Sequence, residues 1–69
     1  MIDLVKLRKT IQESGLKISA ISEQMSIARE TLYNKLNGKT EFTVSEIIAI
    51  SNILGLTKTQ RDNIFFAKK

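Results

Sequence analysis

Three glycines and the absence of proline limit how this chain can fold. Gly15, Gly38 and Gly55 each stand where a run of apolar residues at helical spacing stops. Glycine has no Cβ, so it adopts without steric cost the left-handed conformation that commonly follows the last turn of a helix. No proline interrupts the segments between the glycines. The pattern predicts a succession of short helices.

Apolar spacing predicts three helices in the first half of the chain. Apolar side chains recur at helical intervals from Leu4 to Ile11, which indicates a first helix over residues 3–14. A short second helix is expected over about residues 17–25 and a third over about residues 28–37.

Capping motifs predict two more helices. In the stretch FTVSEI, Thr43 is expected to cap a fourth helix, and Glu46 completes a capping box. An apolar residue on each side of the box forms a hydrophobic staple. Gly55 ends this helix. Thr57 and Gln60 form a weaker box at the start of a fifth helix, which ends at the two C-terminal lysines.

Length and periodicity together indicate the fold class. The chain has 69 residues, which allows one domain, and no segment alternates at the two-residue period of a strand. We expect an all-α fold, a compact five-helix domain over residues 1–69.

Missing residue types argue against catalysis and metal binding. There is no Cys and no His, which removes the thiol nucleophile, the commonest general base and the commonest metal ligand. The seven acidic residues are spread along the chain and form no pair in an apolar run. We therefore expect a protein that is not an enzyme and that uses no metal, no cofactor and no small-molecule substrate.

The charge favours an anionic partner. The formal net charge is +4 and the sequence pI about 9.7, which suits nucleic acid or an anionic membrane surface, although +4 is also an ordinary solubility charge. No apolar run approaches the roughly 18 residues of a membrane span. The start MIDLVKLRK lacks the apolar core of a signal peptide. We expect a cytoplasmic protein with no membrane partner.

The third predicted helix has an unusual polar side. Its apolar residues fit one side, and the other side carries planar or hydrogen-bonding groups where Lys and Glu are usual: Glu30, Tyr33, Asn34 and Asn37. The major groove of B-DNA admits one α-helix, and short or planar polar groups can hydrogen-bond its base edges.

Residues 18–37 resemble the helix-turn-helix of the lambda-repressor-like, Cro/CI-type (XRE family) regulators. Gly15-Leu16 before this window, Asn37-Gly38-Lys39 after it and the later stretch AISNILGL extend the resemblance over nearly the whole chain. The segment TLYNKLNGK is similar to the recognition helix of small phage and prophage repressors of low-GC Gram-positive bacteria.

The resemblance implies a transcriptional regulator, Cro- or repressor-like, that binds double-stranded operator DNA as a homodimer. The base contacts it implies, on side chains suited to base edges, are Arg29, Glu30, Tyr33 and Asn34. The phosphate contacts expected are Lys17, Ser19, Thr31, Lys35, Asn37, Lys39 and Thr40. Plainer readings remain open: an Arg29–Glu30 surface charge pair, a Tyr33 that covers the core edge, and an Asn37-Gly38 that only ends the helix.

Three departures from the family pattern affect the turn or the DNA contacts. Ser26 stands where the family prefers Gly, at a turn residue that needs positive φ, at a cost of roughly 1 kcal/mol. Ile18 replaces a Gln that contacts the DNA backbone, which leaves that role to Lys17, Ser19 or backbone amides. Lys35 replaces an apolar residue, and we expect its stem to pack while its amine reaches a phosphate.

Phe65 and Phe66 are the candidate dimer contacts. Adjacent helical residues point about 100° apart, so one of the two, Phe66, is expected to be exposed and to pair subunits. The alternative is a small cluster against the first helix.

Two other functions of the same fold stay open for this chain: the antitoxin of a toxin–antitoxin pair, and a module that binds only protein.

Overall fold

The computed structural model describes residues 2–66 and contains five α-helices in that range. They are α1 (Leu4–Ser14), α2 (Ile18–Gln24), α3 (Arg29–Leu36), α4 (Val44–Leu54) and α5 (Lys58–Phe65). The described residues contain no strand, so the all-α, five-helix prediction is confirmed. The fifth helix ends at Phe65, before the predicted end at Lys68 and Lys69, which lie outside the described residues. None of the five helices is long and apolar enough to cross a membrane.

Side-chain caps fix where three of the helices begin. Thr43 Oγ1 accepts from the Glu46 amide at 3.2 Å, and Glu46 Oε1 accepts from the Thr43 amide at 2.8 Å. Thr57 and Gln60 form the same reciprocal pair at the start of α5, at 3.1 and 2.9 Å. Both predicted capping boxes are confirmed. Asp3, which the sequence pattern alone does not single out, caps α1 through its carboxylate.

A left-handed residue closes α2. Ser26 has φ 59°, and it is the one non-glycine residue with positive φ in residues 2–66. The amides of Ser26 and Ile27 donate to carbonyls in the last turn of α2 at 3.1 and 3.0 Å, which is a Schellman motif. Gly38 and Gly55 occupy the equivalent positions after α3 and α4. The predicted positive φ at Ser26 is confirmed.

The core lies around α1, which packs against α3, α4 and α5, while α2 packs against α3 and α4. The amide of Asp3 also donates to the carbonyl of Ile64 at 2.7 Å, which joins the start of α1 to α5. The buried apolar side chains are Leu7, Ile11, Ile21, Leu32, Leu36, Phe42, Ile47, Ile50, Ile64 and Phe65. Leu4, Met25 and Leu54 are half-buried at the edge of this core.

Phe65 belongs to this core, so its prediction as a dimer contact is wrong. Its side chain is 2% exposed, and its ring meets Phe42 edge-on with centroids 5.8 Å apart. The direction of successive side chains on a helix explains this: with Phe65 turned inward, Phe66 points outward and is 51% exposed. The expected exposure of Phe66 is confirmed.

Candidate nucleic-acid interface

The buried side of α3 fixes which of its residues face solvent. Leu32 and Leu36 are buried against α1 and α2. The opposite side carries Arg29 and Glu30, both exposed, with Tyr33 at 47% exposure. The predicted polar side of α3 therefore faces outward, apart from Asn34, which is half-buried.

The outer side of α3 forms one wall of an open groove. The groove holds about 500 Å³ between α1, the start of α2 and α3. Five of the predicted DNA contacts line it: Lys17, Ser19, Arg29, Tyr33 and Asn37. The fold thus brings together contacts predicted on two separate helices.

The sequence alone does not point to two further polar residues of this groove, Arg8 and Gln12. They are exposed on α1 at positions i and i+4, so they share one side of that helix. Their spacing is a signal that a sequence can offer. Whether that side of α1 faces α3 depends on how the helices pack.

Three cations line the groove: Arg8, Lys17 and Arg29. No acidic residue lines it, and the two ion pairs found within residues 2–66 involve other cations. Arg29 makes no ion pair with Glu30 there, which removes the support for the surface-pair reading. A concave surface with charge of one sign attracts an oppositely charged ligand.

The two helices of the helix-turn-helix differ from the others at their N-termini. α2 begins after Lys17 and α3 after Ala28, and neither has a side-chain cap. Asp3, Thr43 and Thr57 cap the other three helices. Uncapped N-terminal amides can donate to an external anion, and the first residues of both helices lie beside the groove.

Three further predicted phosphate contacts lie on α3 or just after it, and all are exposed: Thr31, Lys39 and Thr40. The amides of Lys39 and Thr40 donate to the carbonyl of Asn34 at 2.9 and 3.4 Å, which bends the chain back over the end of α3. Asn37 ends the helix as the plainer reading holds, and its side chain also lines the groove.

Lys35 does not reach outward, so the predicted orientation of its amine is wrong. The residue is 8% exposed, and its Nζ lies 3.0 Å from Glu46 Oε1 and 3.0 Å from the carbonyl oxygen of Glu41. The stem packs as expected. The side chain leaves α3 on its inner side, toward the start of α4, where a carboxylate and a carbonyl replace water around the ammonium. Lys35 is therefore not among the phosphate contacts proposed below.

The carboxyl of Glu46 is tuned by these neighbours. Burial raises its pKa, but the hydrogen bond from the Thr43 backbone, together with the hydrogen bond and charge of Lys35, lowers it by more. The net result is a pKa below the ordinary value, so Glu46 stays ionised beside Lys35.

Comparison with known proteins agrees with this geometry. The family model described as a Cro/C1-type HTH DNA-binding domain matches residues 6–59, a span that contains α2, α3 and α4 whole. Comparisons with curated proteins and with solved structures found no match. The matched span covers most of the chain and centres on the helix pair that forms the groove, and the chain belongs to the family of Cro/C1-type helix-turn-helix DNA-binding domains.

Proposed function

We propose that this protein is a sequence-specific regulator of transcription that places α3 in the major groove of an operator. The observation that carries the proposal is the groove-lining side of α3, where Arg29 and Tyr33 stand outward. The groove also holds Arg8 and Lys17, and no acidic residue lines it. The DNA-binding family supports the same partner. A bound protein would repress by occupying promoter DNA that polymerase needs, in the bacterial cytoplasm.

Each proposed base contact follows from hydrogen-bonding geometry. The guanidinium of Arg29 can donate two bonds to O6 and N7 of guanine, and Asn34 can pair with N6 and N7 of adenine. Glu30 can accept from N4 of cytosine. Tyr33 can lay its ring on a thymine methyl or donate to a phosphate. Arg29 stands in the first turn of α3, the part of a recognition helix that contacts base edges.

Phosphate contacts would set the register of α3 on the duplex. From the sequence prediction we keep Lys17, Ser19, Thr31, Asn37, Lys39 and Thr40, all of which are exposed. Arg8 joins them because it lines the same groove as Lys17 and Arg29. Arg8, Lys17 and Lys39 supply three cations for phosphates in each subunit, hence about six in a dimer, and six such contacts lose about 10³-fold in affinity between 50 and 200 mM salt.

We also propose that two copies pair through an apolar patch formed by Val44, Ile48 and Phe66. These side chains are 69%, 49% and 51% exposed, and they line one shallow groove between α4 and the end of α5. Val44 and Ile48 are one helical turn apart on α4. A pair of domains related by two-fold symmetry could read two half-sites one turn of DNA apart.

Fluorescence anisotropy on labelled DNA tests the proposed function. The probe is the segment upstream of the protein's own gene, the control is the same segment scrambled, and both are titrated at about 50 and 200 mM salt. We expect tight binding to the upstream segment, much weaker binding to the scrambled one, and a steep loss with salt. A footprint would then show a site with two-fold symmetry.

Two results would count against the proposal: the first against recognition of this upstream segment, the second against DNA binding itself. Weak and equal binding to both segments would leave a DNA-binding protein without specificity for this site, and a genomic selection of bound fragments would then look for a distant operator. No binding even at low salt would refute DNA binding itself, and the outward side of α3 would need a protein partner instead.

A further inference from the structure

The buried ammonium of Lys35 joins three parts of the chain at one point. It is carried by α3, it lies 3.0 Å from Glu46 in the first turn of α4, and it donates to the backbone of Glu41 in the segment between the two helices. The ring centroid of Phe42 lies 6.0 Å away.

One oxygen of Glu46 serves two donors. Oε1 accepts from the Thr43 amide at 2.8 Å, which belongs to the capping box, and pairs with Lys35 Nζ at 3.0 Å. The box that starts α4 is therefore tied to the inner side of α3. This link holds the start of α4 at a set position relative to the helix that carries the proposed base contacts.

The segment 37–43 between α3 and α4 has no regular secondary structure. Backbone bonds to α3 hold its first half, from Gly38 to Thr40. The second half is held by the burial of Phe42 and by the bond from Lys35 to the Glu41 carbonyl. Lys39 and Thr40 are exposed; they end the half that is bonded to α3, and the residue that Lys35 holds, Glu41, follows Thr40 directly.

Stability alone does not explain why a lysine occupies this buried position. Removing an ammonium from water costs several kcal/mol, and a well-packed apolar residue of similar volume often serves a fold equally well. The polar bonds of Lys35 do have a geometric consequence that an apolar side chain lacks, because they are directional and reach the connecting segment.

We propose that Lys35 is a positioning residue, whose ammonium fixes the segment after α3 so that Lys39 and Thr40 meet the DNA backbone in register with α3. The inference rests on the proposed function and deepens it. Lys35 itself touches no DNA. Its substitution should weaken binding through the segment and leave base discrimination by Arg29 unchanged.

Lys35→Met is the direct test, because methionine keeps an unbranched stem of similar length and loses the ammonium. Glu46→Gln is the second variant. Gln60 already serves in the capping box of α5, so a glutamine at 46 can keep the box of α4 while it removes the charge. Lys6→Met is the control: it also lowers the net charge by one, and it lies on an exposed part of α1 beside α5.

Three measurements are made on each variant: thermal unfolding, amide hydrogen exchange of residues 39–42, and DNA affinity against salt. For Lys35→Met we expect a folded protein, faster exchange in the segment and an affinity about tenfold lower, since fixing one residue's backbone on binding costs about that factor. The slope of log affinity against log salt should fall in magnitude by about one or two, because one or two phosphate contacts are lost. Glu46→Gln should show the same changes to a smaller extent, and Lys6→Met should show none.

The opposite results separate the failure modes. Unchanged exchange in Lys35→Met, or faster exchange with unchanged affinity, would overturn the positioning role while the proposed function stands. An equal loss of affinity in Lys6→Met would overturn it as well, because net charge would then explain the effect. Failure of the unsubstituted protein to bind any DNA would refute the proposed function, and the positioning role would fall with it.

Discussion

Replacing Ser26 with glycine should stabilise this domain. Ser26 holds φ 59° in the motif that closes α2, whereas glycines occupy the same position after α3 and α4. A side chain in the left-handed region costs roughly 1–2 kcal/mol. Glycine makes the unfolded chain more flexible, which offsets about 0.5–1 kcal/mol of the stabilisation. The net gain expected for Ser26→Gly is about 0.5–1 kcal/mol.

Thermal and urea unfolding followed by circular dichroism would measure this gain. In a domain of this size 1 kcal/mol moves Tm by roughly 4–8 °C, so Ser26→Gly should raise Tm by about 2–8 °C. Ser26→Ala is the matched control, because it keeps the Cβ and loses only the hydroxyl. No hydrogen bond of that hydroxyl is found in the described range 2–66, so Ser26→Ala should give no such gain.

Gly55→Ala supplies the mirror experiment. A Cβ at Gly55 would meet nothing within 4 Å, so its cost comes from the backbone alone. Gly38 is a poorer choice, because a Cβ there would approach Leu4 Cδ1 at 3.3 Å. Gly55→Ala should therefore lose about what Ser26→Gly gains. A lower Tm for Ser26→Gly, or an equal rise for Ser26→Ala, would refute the left-handed turn at Ser26.

Four further substitutions test the interface and the ion pair. Arg29→Ala should lose about 1–3 kcal/mol of specific binding with little change in Tm, whereas an unchanged affinity for the operator would remove Arg29 from the base contacts. Lys39→Ala should weaken binding to all sequences alike and reduce the salt slope by about 1 per subunit, hence by about 2 in a dimer; a change confined to one base position would instead mark a base contact. The pKa of Glu46 is lowered in the folded state, so its stabilising effect is present above the ordinary value of 4.5 and is lost as the pH falls through the lower, folded value. The Tm deficit of Glu46→Gln should accordingly shrink as the pH falls below 4.5, and a constant deficit would count against the charge. Ile48→Glu should yield monomers in sedimentation, while Val5→Glu, at an 81% exposed apolar residue of α1, should not; identical behaviour of the two would discard the proposed dimer patch.

The helices and the outward side of α3 could be predicted because their signals are local. Gly15 and Gly55 end helices, Thr43 and Thr57 begin them, and these residues act within one turn of their own position. The positive φ of Ser26 was predictable for the same reason, once the turn had been located. Such features depend on the backbone nearby and hardly on the rest of the fold.

The errors concern side chains whose direction depends on distant partners. Lys35 turns inward because its ammonium pairs with Glu46, which lies eleven residues away at the start of α4. Phe65 is buried because Phe42 fills the space opposite it. Arg8 joins the groove because α1 packs beside α3. Apolar spacing tells which side of a helix is inner, but the neighbour that meets it is decided by tertiary packing.

The central place of α1 has a consequence for synthesis of the protein. α1 is translated first, yet its partners include α4 and α5, and the bond from Asp3 ends on Ile64. A ribosome adding about 5–20 residues per second needs roughly 3–12 s to cover that distance. During this interval α1 has no α5 to pack on. The packing of α1 can therefore be completed only after α5 has emerged.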